Sequence, residues 1–118
     1  MKMHILDLSK EQMKVARQII EIGLVREFES GIGKIDGIIQ QWKDGKRDTK
    51  ESYHKIYEKL IKFDKHIGHR YNNISGSDYL LVLAAQLVDG IISVDDLNAC
   101  DQDVKNKILF ISKISDEK

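Results

Sequence analysis

Residues 9 to 42 read SKEQMKVARQIIEIGLVREFESGIGKIDGIIQQW, a run without proline in which apolar residues recur every three or four positions. This spacing predicts a long helix with one apolar face. In the second half of the run the spacing alternates between three and four, the period at which one helix lies along another. We call these positions the apolar stripe: Val25, Phe28, Ile32, Ile35, Ile39 and Trp42. Because a stripe of this length exceeds what a small monomer covers, it predicts a homodimer with these residues at the interface.

Length and composition restrict the class of protein. The chain has 118 residues with a formal net charge of 0, and we expect one helical domain over residues 1–118. No apolar run approaches the ~18 residues of a membrane span, and a neutral charge balance argues against a nucleic-acid partner. Cys100 is the single cysteine, and Met1–Ile5 has no signal-peptide core. We therefore predict a cytoplasmic protein without a cofactor.

Helix starts are marked by capping residues. Ser9, Asp48, Ser75 and Ser93 are each followed three residues later by a side-chain acceptor, and Asp101 offers a fifth start. The predicted fold is all-α, with two long antiparallel helices over residues 10–42 and 49–70 forming a hairpin over 10–70. Three short helices then form a C-terminal head over 75–114. In that head, the apolar segment from Tyr79 predicts a buried helix that Gly90 terminates as a C-cap.

Glycines interrupt the first long helix at several positions, and each costs up to about 1 kcal/mol relative to alanine in a helix interior. The cluster around Ser30–Gly33 has two interpretations. The helix bends there, or a neighbouring helix packs closely against the small residues.

The second long helix has two contrasting flanks. An apolar flank is expected to pack on the first helix and consists of Tyr53, Ile56, Tyr57, Leu60, Phe63 and Ile67. A basic flank carries Lys55, Lys59, Lys62 and Lys65, extended by His66, His69 and Arg70. Residues 43–70 have a net charge of +4 and residues 71–103 a net charge of −6. This polarity favours an oppositely patterned protein partner.

One group of side chains has the chemistry of metal ligands: Asp64, His66 and His69, with His54 earlier on the same helix. Histidines among lysines more commonly face solvent, and no pattern fixes a histidine beside a nucleophile. A metal-dependent sensor is therefore a less favoured hypothesis, ranked third after the two given below. We predict no enzyme activity.

Several short segments between residues 16 and 114 carry a resemblance to a known family: Arg26-Glu27, Tyr71, Ala85-Gln86-Leu87, Gly90, Asp96-Leu97 and Lys107-Ile108. In their order and spacing the chain resembles the fluorescence recovery protein family of cyanobacteria, which has distant relatives elsewhere. The resemblance implies all-α protomers that dimerise through the long helices and bind a protein. In cyanobacterial members the partner is the orange carotenoid protein, whose return to the resting form is accelerated.

The resemblance also points to a partner surface on the second helix. The family pattern there has a tryptophan, a histidine-aspartate pair and an arginine, and this sequence places His54, Tyr57 with Glu58, and Asp64 at those positions. We expect these residues to contact the partner, and the arginine-to-aspartate change to prevent acceleration of carotenoid-protein recovery. The first hypothesis is therefore a regulatory binding module whose partner is the orange carotenoid protein or an unrelated replacement. The second is a structural or assembly protein associated with a phage or a toxin.

Overall fold

The computed structural model describes residues 7–116, which form four α-helices and no strand. The helices are α1 (Lys10–Lys43), α2 (Thr49–Tyr71), α3 (Tyr79–Val88) and α4 (Gln102–Asp116). The predicted all-α class and both long helices are confirmed. Met1–Ile5, which entered the prediction of localisation, lies outside the described residues. Within them, no helix combines the length and apolarity that crossing a bilayer requires.

Capping side chains set the helix starts. The Gln12 amide donates to Ser9 Oγ at 3.1 Å while the Ser9 amide donates to Gln12 Oε1 at 2.8 Å. Asp48 accepts from two amides at the start of α2, and Asp101 accepts from the Val104 amide at 3.0 Å. The helix predicted to start at Ser93 is present, but it is a short 3-10 helix, Asp95–Ala99. That helix ends because Cys100 is extended and Asp101 caps the next one.

The chain divides into two compact units. One is residues 26–72, which contain the later part of α1 and all of α2. The other combines the residues up to Val25 with those from Asn73 onward. The predicted division into a hairpin and a head followed sequence order, whereas this grouping cuts α1 after Val25.

The core of the unit that contains α3 and α4 is built around large apolar side chains with no exposure: Leu80, Leu83, Leu97 and Ile108. Gln86 is also fully buried among them. Its Nε2 donates to the Ile20 carbonyl oxygen at 3.1 Å, and the backbone carbonyl oxygen of Gln86 accepts from the Ile91 amide at 2.8 Å. Gln86 therefore ties α1, α3 and the following turn together.

Gly90 ends α3 as predicted. Its φ is +73°, a conformation that side chains with a Cβ rarely adopt. The Gly90 amide donates to the Leu87 carbonyl oxygen at 3.1 Å, so an open carbonyl at the helix end is satisfied.

Gly31 distinguishes between the two interpretations of the glycines in α1, a bend or close packing of a neighbouring helix. The helix is uninterrupted over Lys10–Lys43, and a Cβ on Gly31 would lie 2.8 Å from the Phe63 ring. Close packing explains this glycine. Gly33, in contrast, has nothing within 4 Å of a Cβ position.

The closest approach at a glycine is that of Gln86 to Gly23, and it leads to a prediction. A Cβ on Gly23 would lie 2.1 Å from Gln86 Nε2. We expect Gly23→Ala to displace Gln86 and to lower the free energy of unfolding by about 1–3 kcal/mol, as overpacking of a core does. Gly33→Ala is the matched control and should stabilise the protein by about 0.5–1 kcal/mol. Thermal unfolding of both variants measures the difference, and an unchanged Gly23→Ala melting temperature would contradict the role of this contact.

Candidate protein-binding surfaces

The apolar stripe is largely exposed in the monomer. Ile32 is 68% exposed, and Val25, Phe28 and Trp42 are each more than 40% exposed, whereas Ile35 and Ile39 are half-buried. The residues of α1 that are buried in unit 26–72 are instead Glu27, Gly31 and Ile38. At about 100° per residue, the stripe lies roughly a quarter-turn around α1 from this buried edge. Large apolar side chains therefore stay open to solvent along a helix face.

The apolar flank expected on α2 packs only in part. Ile56, Phe63 and Ile67 are half-buried, as predicted. The remaining three are exposed, which corrects the prediction that they pack on the first helix: Tyr53 (69%), Tyr57 (58%) and Leu60 (52%). The reason is angular, because the predicted flank spans more of the helix circumference than a single neighbouring helix covers.

Aromatic contacts join α1 to α2 within residues 26–72. Near the turn, Trp42 Nε1 donates to Thr49 Oγ1 at 2.9 Å. Further along, Gly31 approaches Phe63, and Phe63 meets Phe28 edge to face with ring centroids 6.3 Å apart. The exposed residues of the apolar stripe therefore lie directly beside the side chains that join α1 to α2.

The predicted partner residues lie exposed on α2. His54, Tyr57, Glu58 and Asp64 all occupy the half of the helix turned away from the buried Ser52. Tyr57 and Asp64 are seven residues apart and share one flank with Tyr53, whereas His54 and Glu58 lie further around. The Tyr53 and His54 rings are 5.9 Å apart in an edge-to-face arrangement. The structure therefore leaves all four side chains accessible without gathering them into one pocket.

A buried ionic network at Glu27 was missed by the sequence analysis. Glu27 is only 4% exposed. Its Oε1 accepts from His66 Nε2 at 2.6 Å, and its Oε2 accepts from Arg70 at 3.2 Å and from the Tyr71 hydroxyl. His66 and Arg70, which the sequence placed on the basic flank, bond to Glu27 and hold α2 to α1. The four-residue spacing from His66 to Arg70 places both side chains on one face of α2, but no local pattern places Glu27 beside them.

The network keeps the Glu27 carboxylate ionised. Burial favours the neutral form, but the hydrogen bonds from Tyr71 and His66 and the positive charge of Arg70 outweigh it. The pKa of Glu27 therefore lies below its ordinary value. An ionised buried carboxylate with three donors is a structural anchor between helices.

The same network bears on the candidate metal ligands. His66 Nε2, which would bind a metal, is the atom bonded to Glu27. Among the described residues, His, Cys, Asp and Glu form no group of three or more that could hold a metal ion.

Cys100 lies at a pocket of about 200 Å³ that also touches Gln12, Val15 and Val104. Burial and the neighbouring Asp101 raise the pKa of the Cys100 thiol. A thiol that stays protonated is a poor nucleophile. Gln12 Nε2 donates to Asp101 across this region at 2.9 Å, which joins α1 to the start of α4.

The residues that carried the family resemblance have structural roles. Glu27 and Tyr71 contact each other in the buried network, and Gln86 bridges elements of the core. Asp96 accepts from the Ser93 amide at 2.7 Å, and Leu97 and Ile108 are fully buried. These segments determine the helix arrangement and do not indicate which protein is the partner.

The fold and surfaces define a small all-α protein with exposed apolar and aromatic side chains on two long helices. No protein-family model, curated protein or solved structure matches the chain.

Proposed function

We propose that this chain is a non-enzymatic, dimeric helical protein-binding module of the cytoplasm. In this proposal α1 and α2 form an antiparallel hairpin, one face of the hairpin binds a second copy, and α2 contacts a different protein. Binding then favours one conformation of that partner. The observation that carries the proposal is the row of exposed large apolar side chains on both long helices.

The order of the interhelical contacts supports the hairpin. As the position in α1 falls from Trp42 through Gly31 to Glu27, the contacted position in α2 rises from Thr49 through Phe63 to Tyr71. Contact pairs of this kind are those of two helices that run in opposite directions and are joined by a short turn.

In an antiparallel hairpin the exposed side chains of both helices belong to one surface. On each helix these side chains lie about 80–140° around the helix axis from the side chains that contact the other helix. On both helices the rotation is in the direction in which the residue number increases. Reversal of one helix brings these two flanks to the same side. We call this surface the apolar face, and its most exposed members are Phe28, Ile32, Tyr53, Tyr57 and Leu60.

The apolar face approaches the size of a specific interface. Residues 28–42 of α1 extend about 22 Å at roughly 1.5 Å per residue, and two helices side by side are about 20 Å wide. A face of about 450 Å² per partner, or about 900 Å² in total, approaches the lower limit of specific interfaces, and Val25 and the turn extend it. Multi-angle light scattering at tens of micromolar tests this step. A mass near twice 13.6 kDa supports the proposal, and a mass near 13.6 kDa overturns it.

Partner contact is assigned to His54, Tyr57, Glu58 and Asp64. Aromatic and charged side chains on a rigid helix are typical of binding surfaces. The neighbouring lysines, Lys55, Lys59, Lys62 and Lys65, give this segment a basic side that would speed association with an acidic surface at low salt.

The identity of the partner gives a second prediction. By resemblance the partner would be the orange carotenoid protein, but Asp64 stands where the family pattern has arginine. A charge reversal replaces attraction by repulsion, so we expect no acceleration of carotenoid-protein recovery at stoichiometric protein. A cyanobacterial fluorescence recovery protein is the positive control. Clear acceleration by this chain would show that Asp64 is not at the contact.

An assembly protein is the second candidate, because the same apolar face would serve a protein whose function is association alone. The two differ at Glu58, an assigned partner residue that lies off the apolar face. If the native partner is a distinct protein, Glu58→Lys weakens its binding without changing the oligomeric state, whereas in an assembly protein Glu58→Lys has little effect.

A further inference from the structure

The dimer proposed above does not specify the direction of the two-fold axis that relates its two copies. Charged side chains that border the apolar face favour one direction. Three positions on α1 and three on α2 recur at seven-residue spacing, one row on each outer side of the face: Glu29, Asp36, Lys43, Lys50, Tyr57 and Asp64. All six are exposed. Positions seven apart lie on one line along a helix, so these side chains border any partner that covers the face.

Two symmetric arrangements bring two such faces together. If the two-fold axis is parallel to the helices, α1 of one copy lies on α2 of the other at the same height. If the axis is perpendicular to the helices, α1 lies antiparallel on α1 and α2 antiparallel on α2. A closed dimer uses one of them.

The parallel axis places like charges together. The contacts of Gly31 with Phe63 and of Trp42 with Thr49 define which residues of the two helices share a height. At those heights Glu29 meets Asp64 of the second copy, and Lys43 meets Lys50. Each of these repulsions occurs twice because of the symmetry.

The perpendicular axis places opposite charges together. Glu29 and Lys43 are equally spaced on either side of Asp36, so Glu29 meets Lys43 of the second copy. Lys50 and Asp64 are likewise equally spaced on either side of Tyr57. One axis satisfies both helices only if Asp36 and Tyr57 share a height. The interhelical contacts place position 36 opposite positions 55–58, which include Tyr57.

We propose that a second copy of this chain covers the apolar face about a two-fold axis perpendicular to α1 and α2 that passes at Asp36 and Tyr57, with Glu29 paired to Lys43 and Lys50 paired to Asp64 across the interface. The inference rests on the proposed dimer. Asp36 meets its own copy at the axis, the one like-charge pair in this arrangement, and it lies at the solvent-exposed edge where repulsion is weak. Tyr57 and Asp64 lie at the solvent-exposed edge of this dimer, where a different partner reaches them from the outside.

Charge exchange within α1 tests the arrangement in the full chain. Sedimentation equilibrium at about 50 mM salt, where exposed charges are least screened, gives the dimer dissociation constant. We expect Glu29→Lys and Lys43→Glu each to weaken the dimer about tenfold, because each turns two attractive pairs into repulsive ones. The double variant should return to within about twofold of wild type. Lys62→Glu, on the other flank of α2, is the control with the same charge change and should have little effect.

The outcomes separate the alternatives. With the parallel axis, Lys43→Glu relieves repulsion from Lys50 and strengthens the dimer, which overturns the proposal. Equal constants for all variants overturn it as well. A monomeric wild-type protein contradicts the dimer itself, so failure of the proposed function is distinguishable from failure of the symmetry. Asp36→Asn tests the position of the axis independently. It removes the repulsion between Asp36 and Asp36 of the second copy, so the dimer dissociation constant should fall about twofold.

Discussion

Glu27→Gln is expected to lower the free energy of unfolding by about 2–4 kcal/mol, the range for a broken buried ion pair. The variant keeps the size of the side chain but removes the charge that accepts from His66, Arg70 and Tyr71. Arg70 has a side chain only 13% exposed and would remain in place without a carboxylate. Urea unfolding at pH 7.5 and one fixed protein concentration measures the change.

Glu21→Gln is the matched control, because it makes the same substitution six residues earlier in α1 at an exposed position. Its effect should stay within about 0.5 kcal/mol. Equal stabilities of the two variants would contradict the role of the Glu27 network.

The pH dependence of the Glu27 effect has a fixed sign. The pKa of Glu27 is lowered in the folded protein, so its contribution is fully present above the unfolded-state value of about 4.3 and decreases as pH falls through the folded-state pKa. The stability difference between wild type and Glu27→Gln should therefore narrow below about pH 4. A difference that is constant from pH 7 to pH 3 would show that packing, and not charge, makes Glu27 important.

Ile32→Glu is expected to convert the proposed dimer to a monomer without unfolding the chain. Ile32 is the most exposed residue of the apolar stripe, at 68%, so glutamate there is solvated in the monomer. In a dimer the same carboxylate would be buried without a partner, which costs several kcal/mol. Light scattering should give a mass near 13.6 kDa, and the helical circular dichroism should match wild type.

Ser30→Glu is the matched control for Ile32→Glu. Ser30 is exposed and lies about 160° around α1 from Ile32, away from the apolar face. It should leave the mass at the dimer value. A dimeric Ile32→Glu protein would exclude the apolar stripe from the interface.

Local signals in the sequence were sufficient for the secondary structure. The caps at Ser9, Asp48 and Asp101 begin α1, α2 and α4, and Gly90 ends α3. These signals act over a few residues, through hydrogen bonds to nearby amides or the backbone freedom of one glycine, so they can be read without knowledge of the fold. The exposed row of the apolar stripe was also predictable, since its spacing is a property of one helix.

Only the tertiary structure decided which polar side chains are buried and why particular glycines are needed. His66 and Arg70 look like their lysine neighbours in sequence, yet both bond to Glu27, which lies on another helix, 39 and 43 positions earlier. Gly23 and Gly33 are equally unfavourable for a helix, yet Gln86 fills the space beside Gly23 alone. Spacing along the chain determines the faces of a helix, but the distances between faces depend on packing between segments remote in sequence, which no local pattern encodes.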